Sequence, residues 1–472
     1  TTLDCGSGVT LSGTLAMTRG GRPAWWGQLF AVGSAWTLLT SGCTGGDDAG
    51  RRDSDSTADA PAVAAEGDDA TTPLEDVDLQ GEVVTILGPE VDEELATFQA
   101  TFRPFEERTG VRVEVSGDRS AEGLIGGLVD QGAPPDIFMF PQPGKIAEFV
   151  DDIVPLTGDV VAQVEANIDP GWTSFVNIDD AVRAVPVKAD VKSLIWYSPT
   201  RFAANGYEVP STFEDFLALT DEMMARGQVP FCAGLGSDAA TGWPMTDWIE
   251  DFLLRLKGHE IYDLWVAHYI PFDHPDVVAV AKFVVDLWSR DGFVLGGMGS
   301  VADVPFADAG LPLLAGDCMM HRQSNFYASN FEAAGASIGP GGDVDVFHLP
   351  GTTDHPNITL TGGIYATAFD DRPAVMATMA YLVSAEFADT RATLTGGDFL
   401  TPNQNVDMSL YGGSQQVFAT ILANAEPVRF DASDLMPGAV GADSFWKAAV
   451  NITRGADVAS EFAAVEAAWP DD

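Results

Sequence analysis

Basic side chains are scarce in this sequence. It contains 24 lysines and arginines against 70 aspartates and glutamates, which gives a formal net charge of -46. A surface this negative repels phosphate backbones and anionic lipid headgroups. Nucleic acid and anionic membrane surfaces are therefore excluded as partners, and we interpret the charge as a solvated acidic surface.

Cysteine is also scarce, because the chain has only Cys5, Cys43, Cys232 and Cys318. None of them forms the close pair typical of a zinc site, so we expect no metal. If the chain is exported, Cys232 and Cys318 are the natural disulfide pair.

The first predicted strand is not followed by a G-x-G-x-x-G motif, and a P-loop is missing as well, so nucleotide binding is unsupported and we expect no cofactor.

Long apolar runs are missing too. Trp25 to Leu39 is apolar but has about the length of a signal-peptide core and is too short to span a bilayer. Arg19 and Arg22 precede it as a basic segment. We therefore predict that residues 1–42 comprise upstream sequence followed by a signal peptide. Residues 1–16 are the upstream part, translated from too early a start.

The sequence Leu39-Thr40-Ser41-Gly42-Cys43 resembles a bacterial lipobox, although Thr40 stands where Leu is usual. The resemblance implies that Cys43 carries a lipid; the alternative is an ordinary signal peptide cleaved nearby.

Residues 43–80 contain few large apolar side chains. Burial of so little apolar surface cannot offset the loss of conformational entropy on folding, so we predict a disordered tether. Together these features predict a protein anchored by lipid on the extracytoplasmic face of the plasma membrane.

Apolar residues are abundant and make up 46% of the whole chain, and a length of 472 residues favours two lobes. From residue 83 the pattern alternates strand, helix, strand, helix, strand up to Phe140, which predicts an α/β fold with mainly parallel sheets. Ligands of such sheets bind beyond the carboxyl ends of the strands. Those ends contain Glu90, Asp118 and Gln142, which are our first candidate ligand-binding residues.

The stretch from Pro230 to Cys318 contains a second group of candidates. Trp243 and Asp247 lie four residues apart near a predicted helix start, on one helical face. An aromatic ring suits the apolar face of a pyranose, and a carboxylate suits its hydroxyl groups. Trp248, in contrast, is expected to be a core residue.

A third group follows the next predicted strand. Arg322 and Gln323 are planar polar side chains that suit a hydroxyl rim, and Phe326 comes just after them. His321 is expected to be a structural histidine.

Several segments resemble the extracellular solute-binding proteins of sugar ABC transporters. They include Pro135-Asp136-Ile137-Phe138 and the run from Val185 to Tyr197, which resembles the first crossover between lobes and contains Lys188 and Asp190. The resemblance implies a two-lobed periplasmic-binding-protein-like fold of type II, closing at a hinge. Lobe 1 would comprise residues 81–188 and 358–408, and lobe 2 would comprise residues 189–357 and 409–472.

The second crossover implied by this resemblance runs from Ile358 to Tyr365. Its Gly363 would let a sugar approach the backbone closely. Phe326 falls where the family carries a ligand-stacking aromatic, and Trp446 falls where an aromatic faces the ligand. The run Thr241-Gly242-Trp243-Pro244, together with Cys232 and Cys318, resembles the alpha-glucoside-binding branch, which takes trehalose, maltose, sucrose and similar sugars.

The resemblance implies a monomeric binding protein, not an enzyme, that captures an oligosaccharide and delivers it to permease subunits. Two alternatives remain. The same fold could bind a polyamine or another cation in an acidic cleft. A secreted glycoside hydrolase would need two carboxylates flanking the bond, which Asp118, Asp190 and Asp247 could supply by number alone.

Overall fold

The computed structural model describes residues 77–173, 176–178, 181–353, 355–394 and 399–470. The signal peptide, Cys43 and all but the last residues of the tether fall outside this range, so those predictions stay predictions. Among the described residues, no helix combines the length and the apolar character needed to cross a membrane.

The strands alternate with helices along most of the chain. The strands are β1 (Val83–Gly88), β2 (Arg112–Gly117), β3 (Ile137–Phe140), β4 (Asn177–Ile178), β5 (Ala181–Val182), β6 (Val185–Val191), β7 (Leu194–Tyr197), β8 (Phe231–Cys232), β9 (Met320–Arg322), β10 (Asp345–His348), β11 (Thr359–Ala368) and β12 (Val428–Phe430). The helices are α1 (Asp92–Thr101), α2 (Arg103–Thr109), α3 (Ala121–Asp130), α4 (Gly158–Asn167), α5 (Pro199–Asn205), α6 (Phe213–Ala225), α7 (Trp243–Val266), α8 (Pro275–Trp288), α9 (Pro312–Ala315), α10 (Ala328–Ala333), α11 (Pro373–Leu382), α12 (Ala385–Thr393), α13 (Gly413–Asn424), α14 (Ala432–Leu435), α15 (Phe445–Thr453) and α16 (Val458–Glu466).

Two larger sheets organise these elements. The first has the order β12-β11-β3-β1-β2, with β6 also paired to β11, and the second has the order β10-β7-β9-β8. The pairs β1–β2, β1–β3, β11–β12 and β8–β9 are parallel. The pairs β11–β3, β11–β6, β10–β7 and β7–β9 are antiparallel. The α/β class is confirmed, but the sheets are mixed rather than mainly parallel, because strands that cross between the sheets return in the opposite direction.

The chain passes between the sheets at the crossovers that the family resemblance implied. Strand β6 belongs to the first sheet and β7 to the second, with only Lys192 and Ser193 between them. Strand β10 of the second sheet is followed by β11 of the first. After β12 the chain leaves the first sheet again, and α14 packs against α7. The exact lobe boundaries remain predictions.

Buried hydrogen bonds join the first two crossings to each other. The Ser193 hydroxyl donates to Asp251 Oδ1 at 2.7 Å, and the Leu360 N–H donates to the Ser193 hydroxyl at 2.8 Å. Arg255 pairs with Asp251 and donates through Nε to the Pro350 carbonyl at 3.0 Å. The two crossings are therefore held as one unit by helix α7.

Cys232 and Cys318 form a disulfide with a Cα–Cα distance of 5.6 Å across 86 residues of sequence, as predicted. Trp248 is a core residue, also as predicted, with edge-to-face contacts to Phe231 at 4.9 Å and Trp288 at 5.4 Å between ring centroids. His321 is buried, and its Nδ1 lies 3.0 Å from the Cys232 carbonyl. Burial lowers the pKa of His321 to about 4, so the ring is neutral and structural.

Candidate functional site

A cleft of about 610 Å³ lies where elements of both sheets meet. Its volume is within the range of about 300–1,000 Å³ typical of small-molecule sites. The walls come from the turns after β1 and β3, helix α3, strands β6 and β11, the start of α7 and the segment from α14 to α15. The residues that line it include Glu90, Glu94, Arg119, Glu122, Gln142, Lys145, Glu148, Lys188, Asp190, Lys192, Trp243, Asp247, Phe306, Phe326, Gly363, Asp434, Asp443 and Trp446.

One side of the cleft is an aromatic wall made of Trp243, Phe306 and Phe326. The Trp243 ring centroid lies 5.1 Å from that of Phe306 and 6.1 Å from that of Phe326, and the two phenylalanine rings are 6.1 Å apart. The ammonium of Lys188 lies 5.9 Å from the Phe326 centroid, and that of Lys192 lies 6.0 Å from the Trp243 centroid. These contacts hold the rings in place, and Trp243 and Phe326 remain only partly buried.

Two glycines shape the backbone around this wall. Gly242 precedes α7 with a φ of 125°, and a Cβ atom there would lie 2.3 Å from the Trp446 carbonyl oxygen. Only glycine allows the start of α7 to approach α15 so closely, which brings Trp243 and Trp446 to the same cleft. At Gly363 a Cβ atom would lie 2.4 Å from the Lys188 carbonyl oxygen, so the predicted glycine is required by the β6–β11 pairing.

The first-sheet side carries a chain of ion pairs. Lys188 Nζ lies 3.6 Å from Glu90 Oε1 and 3.4 Å from Glu94 Oε1. Arg391 Nη2 lies 3.1 Å from Glu90 Oε1, and Arg119 pairs with Glu94 Oε2. These carboxylates and cations neutralise one another, so this side presents directed hydrogen-bonding groups rather than net charge.

Lys192 forms the centre of a second charged group. Its ammonium lies 2.7 Å from Asp431 Oδ2, 3.0 Å from Asp434 Oδ2 and 3.4 Å from Asp247 Oδ1. Lys192 follows β6, Asp247 is on α7, and the other two flank or belong to α14. Although burial opposes ionisation, the Lys192 ammonium holds the pKa of Asp431 well below its usual range. The three crossings between the sheets therefore meet at one cation.

Among the buried polar atoms that have no hydrogen-bond partner within the described part of the chain, four belong to residues of the cleft wall. They are Gln142 Oε1, Asp190 Oδ1, Asp247 Oδ2 and Trp446 Nε1. All four residues line the cleft. Because an unpaired buried polar group is costly, such atoms in a cleft wall indicate positions where a ligand supplies the partner.

Most of the ligand-binding residues predicted from the sequence come together here. The structure places the following in the cleft wall: Glu90, Gln142, Lys188, Asp190, Trp243, Asp247, Phe326, Gly363 and Trp446.

Three predicted residues do not line the cleft. Asp118 turns to its own loop, where Oδ1 accepts hydrogen bonds from the Ser120 N–H at 2.8 Å and the Ser120 hydroxyl at 2.7 Å. These hydrogen bonds lower the pKa of Asp118. Arg322 is buried, and its Nη2 donates to Asp251 Oδ2 at 2.8 Å.

Gln323 is also buried behind the cleft. Its carbonyl accepts from Trp196 Nε1 at 2.8 Å, and its side-chain oxygen accepts from the Ser324 N–H at 2.8 Å. The Arg322 guanidinium and the Gln323 side-chain oxygen are thus both hydrogen-bonded within the protein. Asp118, Arg322 and Gln323 support the structure around the cleft instead of forming its wall.

Sequence reasoning missed several cleft residues. Lys192 lies in the predicted crossover segment, two residues after Asp190, so that segment could have indicated it. Asp434 follows β12, so the rule that places ligands at strand ends could have found it. Phe306 lies in an irregular segment between α8 and α9 and gave no signal.

Comparison with known proteins identifies the family of this chain. Residues 88–389 match the family model described as bacterial extracellular solute-binding protein. The osmoprotective compounds-binding protein GgtB of Synechocystis is 38% identical over 396 residues, covering 82% of this chain and 92% of that protein. The alpha-glucosides-binding periplasmic protein AglE of Rhizobium meliloti is 36% identical over 408 residues, covering 83% and 88%.

A solved structure shares the fold at lower sequence identity. The maltose-bound protein MalE3 of T. maritima superposes with a TM-score of 0.64 and 18% identity, covering 82% of this chain and 98% of that one. The chain therefore belongs to the bacterial extracellular solute-binding proteins, a family that binds its ligands without converting them.

Proposed function

We propose that this protein is the substrate-binding component of a carbohydrate ABC importer and that it captures an alpha-glucoside or a similar small sugar by hinge closure. The single observation that carries the proposal is the cleft itself, where partly exposed aromatic rings stand beside buried, unpartnered polar atoms. A sugar has apolar ring faces and a rim of hydroxyl groups, which match these two features.

The nature of the unpartnered atoms supports a hydroxyl-bearing ligand. Gln142 Oε1, Asp190 Oδ1 and Asp247 Oδ2 are acceptors, and Trp446 Nε1 is a donor. A hydroxyl group can donate and accept, so a ligand of this class matches both kinds of atom. Asp247 Oδ2 also has the Arg322 guanidinium nearby, with Nη1 at 3.6 Å. The relatives also support a small polar solute, since one is named for alpha-glucosides and the other for osmoprotective compounds.

The crossings between the sheets support a hinge. Lys192 and Ser193 are the only residues between β6 and β7, and Gly362 lies on β11 against the Lys192 side chain. Few residues need to change conformation for one sheet to move relative to the other. Closure would then offer a joined surface of both halves to a membrane permease, while Cys43 would anchor the protein by a lipid on the extracytoplasmic face.

A cationic ligand is less compatible with the cleft, although acidic residues outnumber basic ones in its wall. The ammonium groups of Lys188 and Lys192 already occupy the places beside the aromatic wall. A polyamine would have to displace these lysines from their carboxylates. Hydrolysis is not proposed, because the family is non-catalytic.

Calorimetric titration of the full chain with maltose, trehalose, sucrose and spermidine tests the proposal. We expect binding of at least one sugar and no binding of spermidine. Incubation with p-nitrophenyl α-glucoside should release no nitrophenol. Binding of spermidine alone would refute the carbohydrate assignment.

Trp243→Ala should weaken binding of that sugar by about 30-fold, because a central aromatic contact contributes about 2 kcal/mol. The matched control is Trp469→Ala, whose ring stacks on His268 at 3.8 Å outside the cleft. We expect this control to bind like the unaltered protein. Equal affinity of the two variants would show that Trp243 does not contact the ligand.

A further inference from the structure

Gln142 joins two carboxyl groups that come from distant parts of the chain. Its backbone N–H donates to Glu122 Oε1 at 3.2 Å, and its Nε2 donates to Asp434 Oδ1 at 3.3 Å. Glu122 is on α3, Gln142 follows β3, and Asp434 is on α14. All three line the cleft, and Gln142 is only 4% exposed with its Oε1 unpartnered. We call these three residues the carboxyl–amide bridge.

Asp434 faces more carboxyl groups than cations. Lys192 is the ammonium in contact with it, at 3.0 Å. The other titratable or charged groups on the elements packed around the bridge include Asp431, Asp247, Glu250, Glu122, Lys145 and Glu148. The Arg322 guanidinium is a further cation, with Nη1 at 3.6 Å from Asp247 Oδ2. The carboxyl groups outnumber the cations beside them, so they cannot all be ionised, because their desolvation and mutual repulsion are only partly compensated. The arrangement therefore retains protons at neutral pH.

The ionised member next to Lys192 is Asp431, which lies 2.7 Å from it. Burial, and then the charge of Asp431, raise the pKa of Asp434 to about 7. Burial also raises the pKa of Glu122 to about 8, although the nearby Lys145 ammonium opposes this rise. Both carboxyl groups of the carboxyl–amide bridge therefore titrate near neutral pH.

We propose that the carboxyl–amide bridge is a proton-dependent subsite for an uncharged, hydroxyl-bearing ligand, so that binding of the ligand takes up a proton. A protonated carboxyl group can donate one hydrogen bond and still accept another. The bridge would thus supply a donor beside Gln142 Oε1, which can only accept. This inference rests on the proposed carbohydrate function and specifies how the same cleft recognises its ligand.

The direction of the pH dependence follows from the displacement of water. A ligand that fills the cleft removes water from both carboxyl groups, which raises their pKa further. A raised pKa in the bound state means that affinity is highest at low pH and falls as the pH rises through the bound-state pKa. A cationic ligand would replace the proton, and its affinity would rise with pH instead.

The test is titration calorimetry of the full chain with maltose, trehalose and sucrose between pH 5 and 9, in buffers of different ionisation enthalpy. For any sugar that binds, Kd should increase at least about threefold between about pH 6 and 8, and the buffer dependence should report proton uptake. Asp434→Asn and, independently, Glu122→Gln should each flatten this dependence. The matched control Glu214→Gln, on the exposed face of α6, should leave it intact.

The outcomes separate this inference from the proposed function. Sugar binding with a constant Kd across this range would overturn the proton-dependent subsite and leave the carbohydrate function standing. The subsite would also be overturned if both bridge variants retained the full pH dependence. Affinity that rises with pH would overturn it in favour of a cationic ligand, and no sugar binding at any pH would overturn both proposals.

Discussion

Replacing Lys192 with methionine should destabilise the protein strongly. Methionine has a similar volume but no charge, so the variant would leave Asp431, Asp434 and Asp247 without the ammonium that lies 2.7, 3.0 and 3.4 Å from them. The Lys192 side chain is only 8% exposed, so water cannot replace it. Removing one partner of such a buried group costs about 3 to 5 kcal/mol.

The loss should depend on pH in a defined direction. In the unaltered protein the folded-state pKa of Asp431 is lowered, so its contribution to stability is present above its ordinary pKa and is lost as the pH falls. Without Lys192, burial and the neighbouring carboxylates would raise the folded-state pKa of Asp431 instead. The stability difference between the two proteins should therefore be largest near pH 8 and narrow toward pH 5.

Equilibrium urea unfolding of the full chain at pH 5, 6.5 and 8 measures this difference. The control is Lys257→Met, which removes an exposed ion pair with Asp276 and should cost at most about 1 kcal/mol at every pH. The reasoning would be refuted if Lys192→Met unfolded within about 1 kcal/mol of the unaltered protein at pH 8, or if the difference between them failed to narrow on acidification.

Three further variants test the framework around the cleft. Replacing both Cys232 and Cys318 with serine should lower the free energy of unfolding by about 4 to 5 kcal/mol, because the disulfide closes a loop of 86 residues; a loss below about 1 kcal/mol in urea unfolding would contradict this. Gly363→Ala should reduce both stability and sugar affinity, since its Cβ would lie 2.4 Å from a backbone oxygen. Gly126 is on α3, and no atom lies within 4 Å of a Cβ added there, so Gly126→Ala should instead stabilise the protein by up to about 1 kcal/mol. Thermal unfolding of the Gly363→Ala and Gly126→Ala variants measures both effects.

Local patterns in the sequence identified much of the cleft. The rule that ligands bind at strand ends pointed to Glu90 and Gln142, and the helical spacing of Trp243 and Asp247 placed both on the wall. The same rule selected Asp118, which lies at the correct strand end but turns to Ser120. Position along a strand thus determines which turn a residue occupies but not where its side chain points.

The sequence by itself determined the alternation of strands and helices and the aromatic residues available for a ligand, because these depend on periodicity and residue type over short distances. The crossover between β6 and β7 was implied by the resemblance to a known family. Only the tertiary structure decided which charges are satisfied. Arg322 pairs with Asp251 across 71 residues, and Lys192 reaches Asp431 across 239. Such contacts depend on how separate elements pack, and the excess of carboxyl groups around Lys192 exists only once three crossings meet at one place.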